Sequence, residues 1–452
     1  MEISLAQVQQ ATDAMLEGNL ATDTAVRGWS IDSRTIVPGD LFFALRGDTF
    51  NGHEFVGSVL EKGALAAIVS EPVSVKGNLL RVPDTLAAMQ TLAHYGRRTW
   101  SKPIVAITGS AGKTSTKDIV AALLSVRMRV GKTSGNLNNH IGLPLSLLRI
   151  PDDAEVAVME MGMNHAGEIR DLCRIASPDI GVVTNIGYAH VENFDSIDGI
   201  AAAKRELIES LPPTGTAVLN ADDPRVLSFS LAHEGQTMTY GLSKTADIRG
   251  EDVIFTEDTS EFTVGDTRFE TGLSGLHNVS NVLAGIAVAQ LFGIPVPSLV
   301  ETVAALVPGK MRGERHRWNG ITVLNDAYNS NPEAARHMLD VLRNEAGSRR
   351  IAVLGEMREL GSMSEHLHRE LGAYAAEAAR VDMLIGIHGA ARWMVEEAAA
   401  RGMGPNRTIF FETPEVAGAF LKTIVEPGDT ILFKGSRGTH VESAVAVMEA
   451  ES

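Results

Sequence analysis

Lys113 and Thr114 carry the first chemical signal in the chain, near the end of Ile104-Val105-Ala106-Ile107-Thr108-Gly109-Ser110-Ala111-Gly112-Lys113-Thr114-Ser115. An apolar run of strand type breaks at Gly109 into a tight turn, and a helix-compatible segment from Ser115 through Leu124 follows. Glycine lets backbone approach a polyphosphate closely, inward N–H groups bind it, and a helix N-terminus adds positive potential. Lys113 would reach the β and γ phosphates, and Thr114 would put its hydroxyl on Mg²⁺. The spacing departs from the usual P-loop, because Gly109 stands three positions before Gly112 instead of five and Ile107 occupies the place of the first glycine. An ordinary glycine turn with an exposed lysine is the alternative, but strand, turn, lysine-threonine pair and helix all agree.

Two further candidates end apolar runs. Glu160 closes one in Met159-Glu160-Met161-Gly162, and His190 follows another in Thr184-Asn185-Ile186-Gly187-Tyr188-Ala189-His190. A carboxylate and a neutral imidazole near the loop threonine could ligate Mg²⁺ directly or through water. Alone, Glu160 reads as a strand-end surface residue and His190 as a structural histidine. Lys204 lies in the helical pattern Ile200 to Ile208, where an exposed lysine is the default. Its alternative is an amine of lowered pKa that accepts CO₂ as a carbamate and becomes a carboxylate facing the metal. Asn138 and Asn139, in the Asn-rich stretch Gly135 to Pro144, mark either a turn or a second phosphate and peptide loop. His277-Asn278-Val279-Ser280-Asn281 opens a long apolar helix, where capping and an adenine contact are compatible. Asp32-Ser33-Arg34 and the loop Arg46 to His53 offer hydroxyls, guanidinium, amide and backbone to a polar ligand, or are simply solvated.

The elements that must position these groups alternate strand and helix throughout. Residues 1 to 98 contain runs at 29–31, 40–45, 66–69 and 79–82. Tyr95 to Pro103 reads as a linker. From 99 to 310, near-continuous apolar runs at 104–108, 155–160, 180–184 and 216–219 imply a mainly parallel sheet with ligands beyond its carboxyl ends. Val307 to Arg317, basic and broken by Pro308 and Gly309, marks a second junction. The alternation resumes from 311 to 452, with a helix opening at Asn331-Pro332 and another from Ser364 to Ala378. No G-x-G-x-x-G opens a helix there, so a dinucleotide is not indicated.

A chain of 452 residues is long enough for about three domains. Its charge, 40 basic minus 56 acidic residues or −16, argues against non-specific nucleic-acid or anionic-membrane binding, so anionic ligands must be met by local basic points. The lone Cys173 excludes an internal disulfide and fits a small buried hydrophobe in a reducing compartment. The N-terminus lacks signal-peptide character, and Val282 to Val300, interrupted by Gly293, Pro295 and Pro297, reads as two short buried helices rather than a membrane span. A cytoplasmic location is expected.

These residues together resemble the Mur ligases, the ATP-dependent amide-forming enzymes that build the peptidoglycan precursor peptide in bacteria. The likeness covers almost the whole chain and rests on Gly109 to Ser115, Asn138-Asn139 to Pro144, Glu160-Met161-Gly162, Thr184 to Gly187 with His190, Lys204, His277-Asn278 with Asn281, and Lys434-Gly435-Ser436-Arg437-Gly438. Asn325 to Pro332 and Gly355-Glu356-Met357-Arg358-Glu359-Leu360-Gly361 point to the dipeptide-adding member, and the Asp-Asn-Pro-Arg motif of the preceding ligase is absent. The resemblance implies an α/β fold in three domains. These are a smaller N-terminal UDP-sugar-binding domain (1–98), a central P-loop ATPase-like domain with a mainly parallel sheet that binds ATP (99–310), and a C-terminal Rossmann-like domain (311–452).

By the same resemblance, the backbone of Gly109, Ser110, Ala111, Gly112, Lys113, Thr114 and Ser115 holds the ATP phosphates. Thr114 and Glu160 serve Mg²⁺, His190 a second Mg²⁺, and Lys204 matches the lysine carbamylated in several members. Asn278 and Asn281 flank the adenine, Asp326 takes the ribose, and Lys310 and Asn329 complete the nucleotide site. Ser33, Arg34, Arg46, Gly47, Asn51, Gly52 and His53 hold the UDP-sugar end, with Asn138 and Asn139 further along the substrate. Lys310 stands where an arginine is usual, and the final motif lacks the usual methionine before Glu442. The implied partners are UDP-N-acetylmuramoyl-tripeptide and D-alanyl-D-alanine, joined through an acyl phosphate by a monomer that closes about residues 97–103 and 308–315. Two rivals are a sister ligase adding one amino acid and a nucleotide-switched scaffold that kept the loop.

Overall fold

The fold is α/β, carried by three sheets; the computed structural model describes residues 1, 3–256 and 259–450. The strand Ile104–Thr108 is wholly buried, as its unbroken apolar sequence requires of a strand covered on both faces. It lies inside a seven-stranded parallel sheet whose order is 248–249, 236–241, 216–220, 180–183, 104–108, 156–160, 130–132. Chain order reverses direction at 104–108, so the crevice beyond its carboxyl end is a topological switch point, where α/β sheets take ligands.

The helix Lys113–Leu124 leaves that crevice and packs against Leu276–Leu291. The latter is buried almost all round, from Asn278 to Ala289. This corrects the expectation of two short helices over Val282 to Val300: the first half belongs to this one long helix, and a 3-10 turn, Val296–Leu299, leads into the helix Val300–Ala304. Among the described residues no helix is long and apolar enough to cross a membrane. An antiparallel sheet of Glu251–Phe255, Ser260–Val264 and Thr267–Thr271 is appended to this part and was not read from the sequence.

The N-terminal sheet has the order 15–17, 79–81, 66–69, 40–43, 28–30, parallel except at its first pair. The linker expected over Tyr95 to Pro103 is mostly helix: Thr85–Trp100 runs through it, and Ser101 ends the helix in the left-handed conformation (φ 51°). Arg97 is buried there and donates to the carbonyls of Ala176 and Ser177 at 2.8 and 3.0 Å and to Asp179 at 2.9 Å. It thereby satisfies the carboxyl end of the helix Glu168–Ala176.

The C-terminal sheet runs 314–318, 321–326, 430–434, 350–355, 383–387, 408–411, parallel but for the first hairpin. The helix Pro332–Asn344 follows its second strand, with Asn331 accepting from Ala334 N at 2.8 Å and proline at the first helical position. One connected set of buried apolar side chains includes Leu41, Met159 and Leu354, so the three sheets share a core. Cys173 is part of it; burial pushes its thiol up to about 12.

Candidate active site

Gly109 and Gly112 explain why the loop takes its shape. Gly109 sits at φ +151°, and a Cβ there would fall 1.8 Å from Thr184 Oγ1; Gly112 sits at φ +79°, with Asn281 Oδ1 2.8 Å from where its Cβ would be. Only glycine fits at either. Neighbouring segments pin the loop. Asn185 O accepts from Ser110 N at 2.9 Å, Asn185 Oδ1 from Ala111 N at 2.8 Å, and Ser110 Oγ from Gly187 N at 2.8 Å. The first-turn N–H groups of Lys113, Thr114 and Ser115 have no acceptor within their helix, which suits them to an anion.

Register places the other groups on the same rim. Glu160 pairs with Ile107 on one side of the central strand, and Val183 with Thr108 on the other. The loop, Glu160 and the segment leading to His190 therefore leave the carboxyl ends of three adjacent parallel strands. Asn138 Nδ2 donates to Glu160 Oε1 at 2.8 Å, while Glu160 Oε2 is buried without a partner. An orphaned carboxylate oxygen facing a phosphate loop suits a hard cation. Among the described residues no group of three His, Cys, Asp or Glu side chains could hold a metal, so phosphate or water would have to complete its shell.

Lys113 donates to Gly109 O at 2.8 Å. Burial lowers its pKa, Glu160 and Glu359 oppose that, and Arg312 adds to it. Lys204 is 1% exposed, and no hydrogen-bond or ion-pair partner of its amine occurs among the described residues. Burial, with the neighbouring charge of Lys113, holds its pKa well below the ordinary lysine value. Such an amine gives up its proton more readily than an ordinary lysine. His190, in the left-handed region at φ 61°, puts Nδ1 2.5 Å from Glu359 Oε2.

Asn278 and Asn281 are buried at the start of the long helix. Asn281 Nδ2 donates to Asn278 Oδ1 at 3.3 Å, and Thr116 Oγ1 donates to Asn281 Oδ1 at 3.1 Å, which ties the helix to the loop. Asp326 receives Lys434 Nζ at 2.5 Å, and Lys434 also donates to Asn329 O at 2.9 Å. Burial raises the pKa of Asp326 against the pull of Lys434 and Arg312. Lys310 is exposed; the cation turned inward is Arg312, whose guanidinium lies 3.8 Å above the Tyr328 ring.

On the N-terminal sheet, Ser33 and Arg34 follow the strand Gly28–Ser30, and Arg46 to His53 follow Asp40–Phe43, its parallel neighbour. Arg34 is exposed and engages Asp32 at 2.7 and 2.9 Å. Arg46 and Asn51 both donate to Glu71 at 2.9 Å. His53 is buried with both ring nitrogens engaged: Nε2 accepts from Ser70 N at 2.9 Å, and Nδ1 lies 2.8 Å from Asn51 Oδ1. Gly52 is likewise buried against Leu45 O. Gly47 is exposed, and Asn139 Oδ1 caps the helix Gly142–Leu148 by accepting from Gly142 N at 2.8 Å.

Several contributors were missed. Asn331 Nδ2 donates to Ser110 O at 3.2 Å, and Glu333 accepts from Tyr188 N at 3.1 Å. With Glu359 these bring the C-terminal part onto the loop. Asn331 looked like a cap, which it also is, and nothing in the sequence set Glu333 apart from a first-turn helix carboxylate.

A glycine-pinned phosphate loop at a sheet switch point, with an orphaned carboxylate and a buried lysine near it, is the kind of site that an ATP-dependent ligase needs, and the chain belongs to the Mur ligase family. Family profiles described as Mur ligase family, catalytic domain; Mur ligase middle domain; and Mur ligase, glutamate ligase domain match residues 25–133, 107–289 and 311–437. The particular relatives share one name. A UDP-N-acetylmuramoyl-tripeptide--D-alanyl-D-alanine ligase of Synechocystis is 37% identical over 96% of this chain and 94% of its own. MurF from Acinetobacter baumannii superposes with TM-score 0.91 at 31% identity, covering 100% of this chain and 99% of its own. MurF ligase from Thermotoga maritima in complex with ADP gives 0.82 at 30%, covering 94% and 97%.

Proposed function

We propose that this chain joins D-alanyl-D-alanine to UDP-N-acetylmuramoyl-tripeptide with ATP, giving the UDP-muramoyl-pentapeptide, ADP and phosphate. The observation that carries the reading is the gathering of Lys113, Glu160 and Lys204 on the rim that bears the phosphate loop. The tripeptide's terminal carboxylate attacks the γ-phosphorus and ADP leaves; the dipeptide amine then attacks the acyl phosphate and phosphate leaves. Three anionic groups must meet for the first step, so the protein's contribution is positioning and charge neutralisation.

Lys113, the first-turn N–H groups and Arg312 take the phosphates. Asn278 and Asn281 line the adenine end, and Asp326 with Lys434 the ribose. Glu160 and the Thr114 hydroxyl would hold Mg²⁺, with His190 beside them, and the ion would supply neutralisation of phosphate charge. Lys204, once its amine loses a proton and bonds the carbon of CO₂, presents a carboxylate on the same side. Ser33, Arg34, Arg46, Gly47 and Asn51 are offered to the UDP end, and Asn138 to the peptide. Asn331, Glu333 and Glu359 close the site and exclude water, which would hydrolyse an acyl phosphate. On this reading the three segments 1–98, 99–310 and 311–452 bind the UDP-sugar, the nucleotide and the acceptor, in a soluble monomer of the cytoplasm.

Phosphate release measured with UDP-tripeptide and ATP tests the assignment. It should require D-alanyl-D-alanine and ignore free amino acids. Release driven equally by a single amino acid would return the sister-ligase reading, and release indifferent to any amine would return the scaffold.

A further inference from the structure

Lys117 plays no part in the mechanism above, although it stands on the helix of the phosphate loop and is 2% exposed. It comes three residues after Thr114 and four after Lys113 in the helix Lys113–Leu124, so it lies on the same face as both. Burying an ammonium is costly unless its donors are taken up. Its Nζ donates to Thr133 O at 3.1 Å and to Gly135 O at 3.4 Å, and Asp118, shared with Lys132, lies 3.6 Å away.

Those two carbonyls belong to the segment that grips Glu160. It leaves the edge strand Val130–Lys132, the parallel neighbour of Val156–Glu160. Thr133 is fully buried; its N donates to Val158 O at 3.1 Å, and its Oγ1 accepts from Glu160 N at 3.0 Å. Five residues on, Asn138 Nδ2 donates to Glu160 Oε1 at 2.8 Å, and Asn138 O accepts from Gly162 N at 2.9 Å. Glu160 is thus held at its backbone and at one carboxylate oxygen, while Oε2 is buried without a partner.

Thr114 and Glu160, the two groups offered to Mg²⁺, come from different elements, one from the helix and one from a strand end. Their separation is set where the helix is fastened to the segment that holds Glu160, and Lys117 is a fastening there. An ammonium carries three donors on one atom, enough to engage both carbonyls and the Asp118 carboxylate at once. Building on the ligase reading and its Mg²⁺, we propose that Lys117 is a positioning residue for the cation. By tying Thr133 and Gly135 to the phosphate-loop helix, it fixes where the free oxygen of Glu160 stands relative to the Thr114 hydroxyl.

Binding of Mn²⁺ to the ADP-saturated chain, followed through the electron paramagnetic resonance signal of the free ion, tests this together with calorimetry of ADP binding in EDTA. K117M should raise the Mn²⁺ Kd roughly tenfold or more, the scale for losing a hydrogen bond made by a charged group, while metal-free ADP affinity stays within about twofold. T133V keeps the shape of the side chain and the carbonyl that Lys117 reaches, but removes the hydroxyl that holds Glu160 N. It should raise the same Kd about fivefold, the scale for a neutral hydrogen bond, and it decides the matter alone should K117M fail to fold. An unchanged Mn²⁺ Kd in either folded variant would overturn the proposal. So would equal weakening of Mn²⁺ and of metal-free ADP, which would mark Lys117 as support for the loop as a whole. The ligase reading fails separately, if the unmodified chain binds Mn²⁺ with ADP yet releases no phosphate in response to the dipeptide.

Discussion

Lys113 and Lys204 are neighbouring buried lysines whose surroundings separate them. Lys113 is lowered by burial and by Arg312, and Glu160 and Glu359 oppose that lowering. Lys204 has no such support and feels Lys113 instead. Replacing Lys113 by alanine should lower kcat by about 10² or more, the scale for removing one preorganised charge partner of a transition state. An unchanged rate in a variant with native circular dichroism would refute the loop assignment. Lys204→Ala should be inactive and partly restored by acetate or propionate, which return a carboxylate to the vacated space; an inactive, folded variant that no short carboxylic acid rescues would remove the carbamate. Lys113 could be found in sequence because it stands in a short, rigid pattern, whereas Lys204, in an ordinary helical pattern, was singled out by the family resemblance. Arg312 and Glu359 could not be found there, since a junction arginine and a loop glutamate acquire meaning only from Tyr328 and His190 across the fold.

The helices Leu276–Leu291 and Pro332–Asn344 meet through His277 and His337, whose rings lie parallel (2°) with centroids 5.5 Å apart. Burial lowers both, His277 to about 3, with further lowering from the nearby Lys434 charge. The unfolded chain binds a proton at each histidine near pH 6.5, whereas folded His277 resists until about pH 3. Between those values the unfolded state holds more protons, so stability falls as pH falls, by up to about 1.4 kcal/mol per unit for each such histidine. Urea midpoints from pH 7 to 5 should therefore drop, and less steeply in the His277→Gln, His337→Gln double variant. Equal slopes would remove the pair from the acid sensitivity. The same scale shows what sequence can reveal of the fold. Ile104–Thr108 and its neighbours were legible because strands buried on both faces must be continuously apolar. Ser260–Val264 is not continuously apolar; its signal was the alternation of Phe262 and Val264 with Glu261 and Thr263 and the two-residue turn Gly265-Asp266, which went unread. Arg97 and Arg98 resembled a linker because a basic stretch before proline usually is one, while the carbonyls that Arg97 satisfies lie some eighty residues away.

At the scale of the whole molecule, the two junctions differ. Residues 97–103 were expected to hinge, but Arg97 fastens its helix to Ala176, Ser177 and Asp179, and the same helix packs on Gly142–Leu148. The segment 305–313 has Gly309, Met311 at φ 54° and Gly313 at φ +77°, and joins the helix Val300–Ala304 to the strand Glu314–Trp318. Across it, the polar contacts include Asn331 to Ser110, Glu333 to Tyr188, Glu359 to His190 and Glu192 N to the carbonyl of Glu359. Each net contribution is small, about 1.5–3 kcal/mol where a charge takes part. These contacts stand beside the shared apolar core and the stacked rings of His277 and His337, and the ligase reading expects them to tighten when ligand bridges the two sides. Small-angle scattering should show a radius of gyration approaching the value of about 22 Å expected for a compact chain of this length when a non-hydrolysable ATP analogue and UDP-tripeptide are both present. The free chain should be larger, and Glu333→Ala larger still, with motion confined to residues beyond 305. Superimposable profiles in all three cases would mean that the lobes are fixed, and that water must be kept from the acyl phosphate by some means other than domain closure.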